Sequence, residues 1–271
     1  MADVVTYECC QCGEEVPLLL IMISHGDDGS WCVACRPALA QAAARGDTAA
    51  LLLLVDDGAS LDGRDTDGGE MTALMHAMVY GQTQAARALA KAGASLEARD
   101  VGGTTALMFA AGEGHAEAAL ALIGAGAALE ARDGDGRTAF YLAAQGGHAA
   151  TVSALAAAGA DPEAASGGSN GGETALQCAA EARDVAVVRA LARAGARLDK
   201  RDASGWTQLH TAAFQRETAL ALALVDAGAD LAAEDKRGRT PIALAPAGGE
   251  TEAALKEAAL RIMRAAAAKR A

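Results

Sequence analysis

Six threonines, Thr72, Thr105, Thr138, Thr174, Thr207 and Thr240, recur at intervals of 33, 33, 36, 33 and 33 residues. A second marker, the Gly-Ala pairs opened by Gly58, Gly93, Gly126, Gly159, Gly195 and Gly228, runs at 35, 33, 33, 36 and 33. From Thr72 onward each glycine follows its threonine by a constant 21 residues. Two markers in phase mean one supersecondary unit stacked many times, each unit unable to bury its apolar face without its neighbours.

Residues Asp133 to Ala164 show what one unit contains. A polar tip, Asp133 to Arg137, leads into the run Thr138 to Ala144; a Gly146-Gly-His148 break follows, then an apolar stretch from Ala149 to Ala158 and Gly159. The pattern predicts turn, short helix, turn, longer helix, loop. The threonine stands at the helix N-cap, where its hydroxyl accepts a backbone N–H left unpaired in the first turn. Glycine after the second apolar run supplies the left-handed residue that stops a helix.

These residues resemble the ankyrin repeat. Thr207-Gln-Leu-His210 keeps three of the four central positions of that family's Thr-Pro-Leu-His pattern, Thr240-Pro241 keeps the proline, and Thr105-Ala-Leu107 and Thr174-Ala-Leu176 keep threonine and leucine. The resemblance implies an all-α repeat solenoid of helix-turn-helix units with hairpin tips. It spans 37–271, with a degenerate capping repeat at 37–63 and six further repeats over about 64–271. In the capping repeat Leu39, Gly46 and Gly58 hold the right offsets, while proline replaces the threonine. Thr251 to Ala271 reads as a long last helix carrying Lys256, Arg261, Arg264, Lys269 and Arg270, cations placed for a helix C-terminus. The stretch Ala165 to Gly172 accounts for the 36-residue interval and reads as a longer finger, since insertions in repeats map to loops.

Composition agrees with a solenoid. Aromatic residues are only 3% and alanine dominates a 52% hydrophobic share, a poor supply for one large core. A net charge of −12 argues against a nucleic-acid backbone as partner. Leu18 to Ile23, the longest strongly apolar run, is too short to span a membrane. The acidic N-terminus lacks the positive region of a secretory signal, so an intracellular protein, cytoplasmic or nuclear, is expected.

Five of the six cysteines crowd into residues 9 to 35. The frame Cys9-x-x-Cys12, nineteen residues, Cys32-x-x-Cys35 fits a four-thiolate structural zinc site, each knuckle bringing two sulfurs onto one tetrahedral ion. Disulfides, which a reducing cytosol disfavours, and free thiols are the competing readings. Cys10 is an odd thiol able to replace a neighbour, and His25 reads as an exposed turn residue, since four sulfurs already close a site. Val16 to Ile23 reads as a strand and Gly26 to Ser30 as a turn, and the second knuckle runs into a helix at Ala38 to Arg45. Residues 1–36 thus resemble a treble-clef zinc module, a small α+β unit that caps the stack. A ring-type ubiquitin ligase needs eight ligands, and this region offers at most six.

No catalytic constellation emerges. Gly112-x-Gly114 and Gly124-x-Gly126 lack a complete phosphate-loop motif. Asp65-x-Asp67-Gly68 and Asp133-x-Asp135-Gly136 lack the bidentate glutamate of a calcium loop. The histidines His76, His115, His148 and His210 hold repeat positions, and Cys178 reads as a small buried thiol. The chain is therefore expected not to be an enzyme.

What the ankyrin resemblance implies instead is a non-catalytic protein-interaction scaffold that binds through hairpin tips and first helices. The position before each threonine, and the seventh and eighth after it, project to that face. Tyr80, Trp206 and Phe214 are expected to be exposed there, with Phe109 and Phe140 in the core. Glu113, Gln145, Glu173, Glu181 and Gln215 lie at matching positions, so a protein partner with apolar residues flanked by basic ones is expected, bound by a monomer. Two alternatives are a nucleic-acid-binding regulator acting through the zinc module and the substrate-recognition subunit of a ubiquitin ligase.

Overall fold

The computed structural model describes residues 6–8, 15–17, 36–65, 69–167 and 172–268. The chain forms two compact units, Met1–Ala139 and Phe140–Ala271. Strands β1 (Thr6–Glu8) and β2 (Glu15–Pro17) pair antiparallel with Glu8 opposite Glu15 and Thr6 opposite Pro17. The observed strand thus starts one residue before the expected Val16, and its described part ends at Pro17, which has no N–H for a ladder. Residues 9–14 connect the paired ends. Cys9, Cys10, Cys12, His25, Cys32 and Cys35 lie outside the described residues.

Fourteen helices follow among the described residues. The first unit holds α1 (Arg36–Arg45), α2 (Thr48–Asp56), α3 (Ala73–Val79), α4 (Thr83–Ala92), α5 (Ala106–Gly112) and α6 (Ala116–Gly124). With the second unit come α7 (Ala139–Gln145), α8 (Ala149–Ala157), α9 (Ala175–Glu181), α10 (Val185–Arg193), α11 (Gln208–Phe214), α12 (Thr218–Asp226), α13 (Pro241–Leu244) and α14 (Glu250–Ala268). Helix α1 begins two residues before the expected Ala38, and α14 opens at Glu250. In the first unit α1, α3 and α5 pack in one row and α2, α4 and α6 in another. In the second, α9, α11 and α13 form one row and α8, α10, α12 and α14 the other.

Repeat positions explain the packing. The residue two after Thr72, Thr105, Thr138, Thr174 and Thr207 is a buried apolar side chain, Leu74, Leu107, Phe140, Leu176 and Leu209, with Leu39 equivalent in α1; after Thr240 it is Ile242, half-buried. Second helices contribute Leu54, Leu89, Leu122, Leu155, Leu191 and Leu224. Each such side chain stabilises its unit by about 1.5–3 kcal/mol. Between them, pairs such as Ala42-Ala43, Ala110-Ala111 and Ala212-Ala213 are nearly or fully inaccessible, and their small size lets successive helices approach. Phe140 is buried as expected; Phe109 is only half-buried, so the core does not take it whole.

The threonine cap is reciprocal. Thr72, Thr105, Thr174 and Thr240 accept the N–H three residues on. In return, the third-position side chain accepts the N–H of Thr72, Thr105 and Thr174, through Met75 Sδ and Met108 Sδ at 3.4 Å and Gln177 Oε1 at 3.1 Å, and His210 Nδ1 accepts that of Thr207 at 3.1 Å. This is the capping box with three kinds of acceptor, thioether, amide and imidazole. His210 is fully buried, and its Nε2–H donates to the Arg239 carbonyl at 3.2 Å, which leaves Nδ1 free to accept.

Turns between paired helices need a left-handed residue. Gly46, Gly81, Gly114 and Gly147 supply it, with φ of 72, 67, 80 and 80°. Arg183 and Arg216 occupy the same place in the next two repeats at φ 59 and 63°. A side chain there costs about 1 kcal/mol relative to glycine.

The tips share an Asp-x-x-Gly sequence, at 100–103, 133–136, 202–205 and 235–238. Asp100, Asp133, Asp202 and Asp235 each turn one carboxylate oxygen onto the N–H groups two and four residues on, at 2.7–3.0 Å. Asp133 therefore serves its own turn. The tip hairpins close between residues four apart, as in Asp133 N–H to Arg137 O. In the insertion the closure is Ser166 N–H to Glu173 O, seven apart, so the three extra residues lengthen the finger. Tips also bind each other: Arg99 donates to the carbonyls of Gly103 and Arg132, and Arg201 to those of Gly205 and Glu234. Among the cations expected at the C-terminal cap, Lys256 pairs with Glu252 and Arg261 with Asp226, each at 2.5 Å.

The third-position slot predicts a graded substitution series. His210→Met keeps an acceptor for the Thr207 N–H and loses only the bond to Arg239, about 1 kcal/mol, whereas His210→Leu orphans a buried donor as well and loses about 2–4 kcal/mol. Urea unfolding of the two variants distinguishes them, and equal losses refute the slot.

Candidate functional site

A groove of about 440 Å³ opens in the second unit, between the tip that carries Lys200, Asp202 and Trp206 and the ends of α9 and α11. Ala180 and Ala212 lie at its base, and Gln177, Glu181, Arg183, Gln208 and Gln215 give it a polar rim. The groove exists because α9 and α11 are each only seven residues long and stop at the same distance from their caps, so the residues at their ends stand clear of the packed rows.

Trp206 organises the tip. Its Nε1–H donates to Asp235 Oδ2 at 3.1 Å, the Arg239 guanidinium carbon lies 5.9 Å from its ring centroid, and its ring meets that of Phe214 at 5.3 Å and 59°. A tilted aromatic pair of this kind adds roughly 0.5–1.5 kcal/mol to simple burial. Trp206 is consequently half-buried, not free as the sequence suggested: the next tip holds it. Phe214, at 55% exposed, presents the open part of the pair.

Asp235 anchors that arrangement, with its side chain buried. Burial alone would raise its pKa, but the N–H groups of Arg239 and Arg237, the Arg239 guanidinium at 2.7 Å and the Trp206 indole outweigh it and hold the carboxyl well below its usual range.

The other expected contact residues divide. Tyr80, at 59% exposed, follows α3, and Glu113, exposed, follows α5; both belong to the first unit. Gln145, Glu181 and Gln215 are exposed at or just beyond the ends of α7, α9 and α11. Glu173 is half-buried and accepts the Tyr141 hydroxyl at 2.7 Å, so it holds a core tyrosine. Neither Tyr141 nor the groove cations Arg183 and Lys200 were picked out in the sequence. Tyr141 fills the third-position slot, which is the signal that marks it.

Tyr141 is raised well above its ordinary value by burial and by its bonds to Glu173 and Cys178. Cys178, half-buried, is pushed up by burial as well, so its thiol stays protonated and is a poor nucleophile. Among the described residues no three His, Cys, Asp or Glu side chains converge as metal ligands. No helix among them is long and apolar enough to cross a membrane.

The family model for ankyrin repeats in three copies matches residues 7–100, 39–133, 98–166 and 164–235. The chain belongs to the ankyrin-repeat family. Among solved structures, the ankyrin repeat domain of Bcl-3, a member of the IkappaB protein family, is 29% identical. It aligns over 81% of this chain and 97% of its own length with a TM-score of 0.68. The human ASB11 ankyrin repeat domain is 26% identical over 81% of this chain and 96% of its own, with a TM-score of 0.63. No curated protein matches the chain. Tyr80, Glu113, Gln145, Glu181, Phe214 and Gln215 thus stand at or just past the ends of first helices of ankyrin repeats, and Trp206 on a repeat tip.

The Asp235 geometry predicts an acid-dependent component of stability. A depressed folded pKa contributes stability that is fully present above the ordinary carboxylate value of about 4 and is lost as the pH falls through the folded value. Melting followed from pH 6 to pH 2 should therefore fall less steeply in Asp235→Asn than in the parent; parallel curves contradict it.

Proposed function

We propose that this ankyrin-repeat chain is a non-catalytic protein-interaction scaffold, with a structural zinc module as its N-terminal cap. The observation that carries the reading is the exposed face of Phe214 against a fixed Trp206, beside a groove with polar rims. A few aromatic residues set in such a surface tend to carry most of the binding energy of an interface. In the first unit Tyr80 and Glu113 suit the partner surface expected from the sequence, apolar residues flanked by basic ones.

Zinc rests on the cysteine frame and on one backbone observation. The pairing of Glu8 with Glu15 brings together the ends of the six-residue connection that carries Cys9 and Cys12, as a two-sulfur knuckle requires. Cys9, Cys12, Cys32 and Cys35 would hold the ion. A thiolate site of this kind fits an intracellular protein, cytoplasmic or nuclear, better than disulfides do.

Two measurements test these readings. Phe214→Ala removes an exposed ring, so it should leave melting nearly unchanged and weaken capture of a partner about tenfold or more, whereas Trp206→Ala also costs about 1–3 kcal/mol of stability through lost packing and the lost Asp235 bond. An affinity pull-down read by mass spectrometry, in which the same proteins are recovered with Phe214→Ala, moves the interface elsewhere. Metal analysis of the purified chain should give about one zinc, lost together with part of the thermal stability in Cys9→Ser with Cys32→Ser. Unchanged melting in metal-free protein rules the cap out.

A further inference from the structure

Charge is distributed unevenly along the chain. Residues 1–174 carry 8 basic and 23 acidic side chains, and residues 175–271 carry 15 basic and 12 acidic. The groove lies wholly in the second stretch. Of its charged residues, Asp202 is occupied by the N–H groups of Ser204 and Trp206, while Lys200 makes no ion pair among the described residues and Glu181 makes none either. Arg183, whose side chain is exposed, reaches the half-buried Glu217 through Nε at 3.0 Å, which leaves its terminal guanidinium nitrogens facing solvent for another carboxylate. Arg216, next to the lining Gln215, repeats the Arg183 position one unit on, is exposed and makes no ion pair among the described residues.

The backbone makes these two arginines unusual. Among the described residues, five other interhelix turns use glycine for the left-handed residue, at Gly46, Gly81, Gly114, Gly147 and Gly248, and only the two turns at the groove hold a long cation in that conformation. Local preference opposes Arg183 and Arg216, so their presence at the groove's edge is a sign of use there. Charge and strain are independent observations, and both fall on the same edge.

Building on the scaffold reading above, we infer that the groove takes an extended segment of a partner protein in which an acidic residue flanks an apolar one, the apolar side chain meeting Phe214 and Trp206 and the carboxylate meeting Arg183 and Arg216. The arginines then set specificity while the aromatic pair supplies contact area, and Lys200 extends the positive edge toward the tip. A volume of about 440 Å³ is of the size that encloses a few side chains and leaves the rest of a segment on the rim.

The test is selection of a random-peptide phage library on the full chain, followed by anisotropy titration of the selected peptides against the parent, Phe214→Ala, Arg183→Gly with Arg216→Gly, and Arg183→Gln with Arg216→Gln. The expected peptides carry Asp or Glu beside an aliphatic or aromatic residue and bind less tightly as salt is added. Both arginine variants should weaken them about tenfold or more, and the glycine pair should melt no lower than the parent because the left-handed turns are relieved. Peptides that need Phe214 but are indifferent to the arginines, or that carry Lys or Arg instead, overturn the acidic specificity and leave the interaction surface standing. Failure to select any peptide dependent on Phe214 overturns the scaffold reading itself. Tighter, arginine-dependent binding of a labelled single-stranded oligonucleotide overturns the inference in favour of nucleic acid.

Discussion

The hydrogen bonds between capping threonines and the residues three places on, reciprocal at Thr72, Thr105 and Thr174, are the constraint from which the rest of the molecule follows. Helices of seven residues are too short to hold themselves in water, since nucleation is unfavourable and only a few hydrogen bonds repay it. The cap fixes where each of them starts, and a fixed start with a fixed length fixes where it ends. The ends are where the proposed contact residues stand, Glu113 in the first unit and Glu181, Phe214 and Gln215 in the second, each seven or eight residues after a capping threonine. Alanine pairs then bring neighbouring helices close enough for the leucines to meet.

Much of this was legible because the period is carried by residues with strong local chemistry. Threonine caps, and the glycines at Gly58, Gly93, Gly126, Gly159, Gly195 and Gly228 all take a positive φ where a helix must stop. What escaped was chemistry that depends on a neighbouring repeat. Trp206 stands in a tip and looks exposed until Asp235, 29 residues later, accepts its indole proton. Glu173 looks like a contact residue until the Tyr141 hydroxyl is found against it. The third-position slot hides differently: methionine, glutamine and histidine share no obvious class, only the ability to accept an N–H. Arg183 and Arg216 were invisible as strained residues, since the turn is defined by glycines elsewhere.

Net charge also reads differently once the structure is known. Many tip carboxylates that contribute to the formal −12 are turned inward onto backbone N–H groups, Asp100, Asp133, Asp202 and Asp235 among them. Such groups are committed to the fold and offer little to a partner. The arginines at the groove, by contrast, sit at the surface with weak or no internal partners. Composition therefore understates how cationic one part of this surface is.

The tips are joined by another bond that repeats with the period. Asp62 accepts the N–H of Ser95, Glu97 that of Ala128 and Glu163 that of Arg197, each carboxylate reaching forward by 31 to 34 residues. Every one of these bonds runs from a repeat to its successor, which gives the stack a grammar. Gain or loss of a complete unit inside either stack leaves each carboxylate facing an equivalent N–H, while a change of a few residues inside a helix pair breaks the correspondence. Length variation is harmless only at the fingertips, which is where the three-residue expansion is found, and whole repeats are the natural words in which a chain like this can be lengthened or shortened.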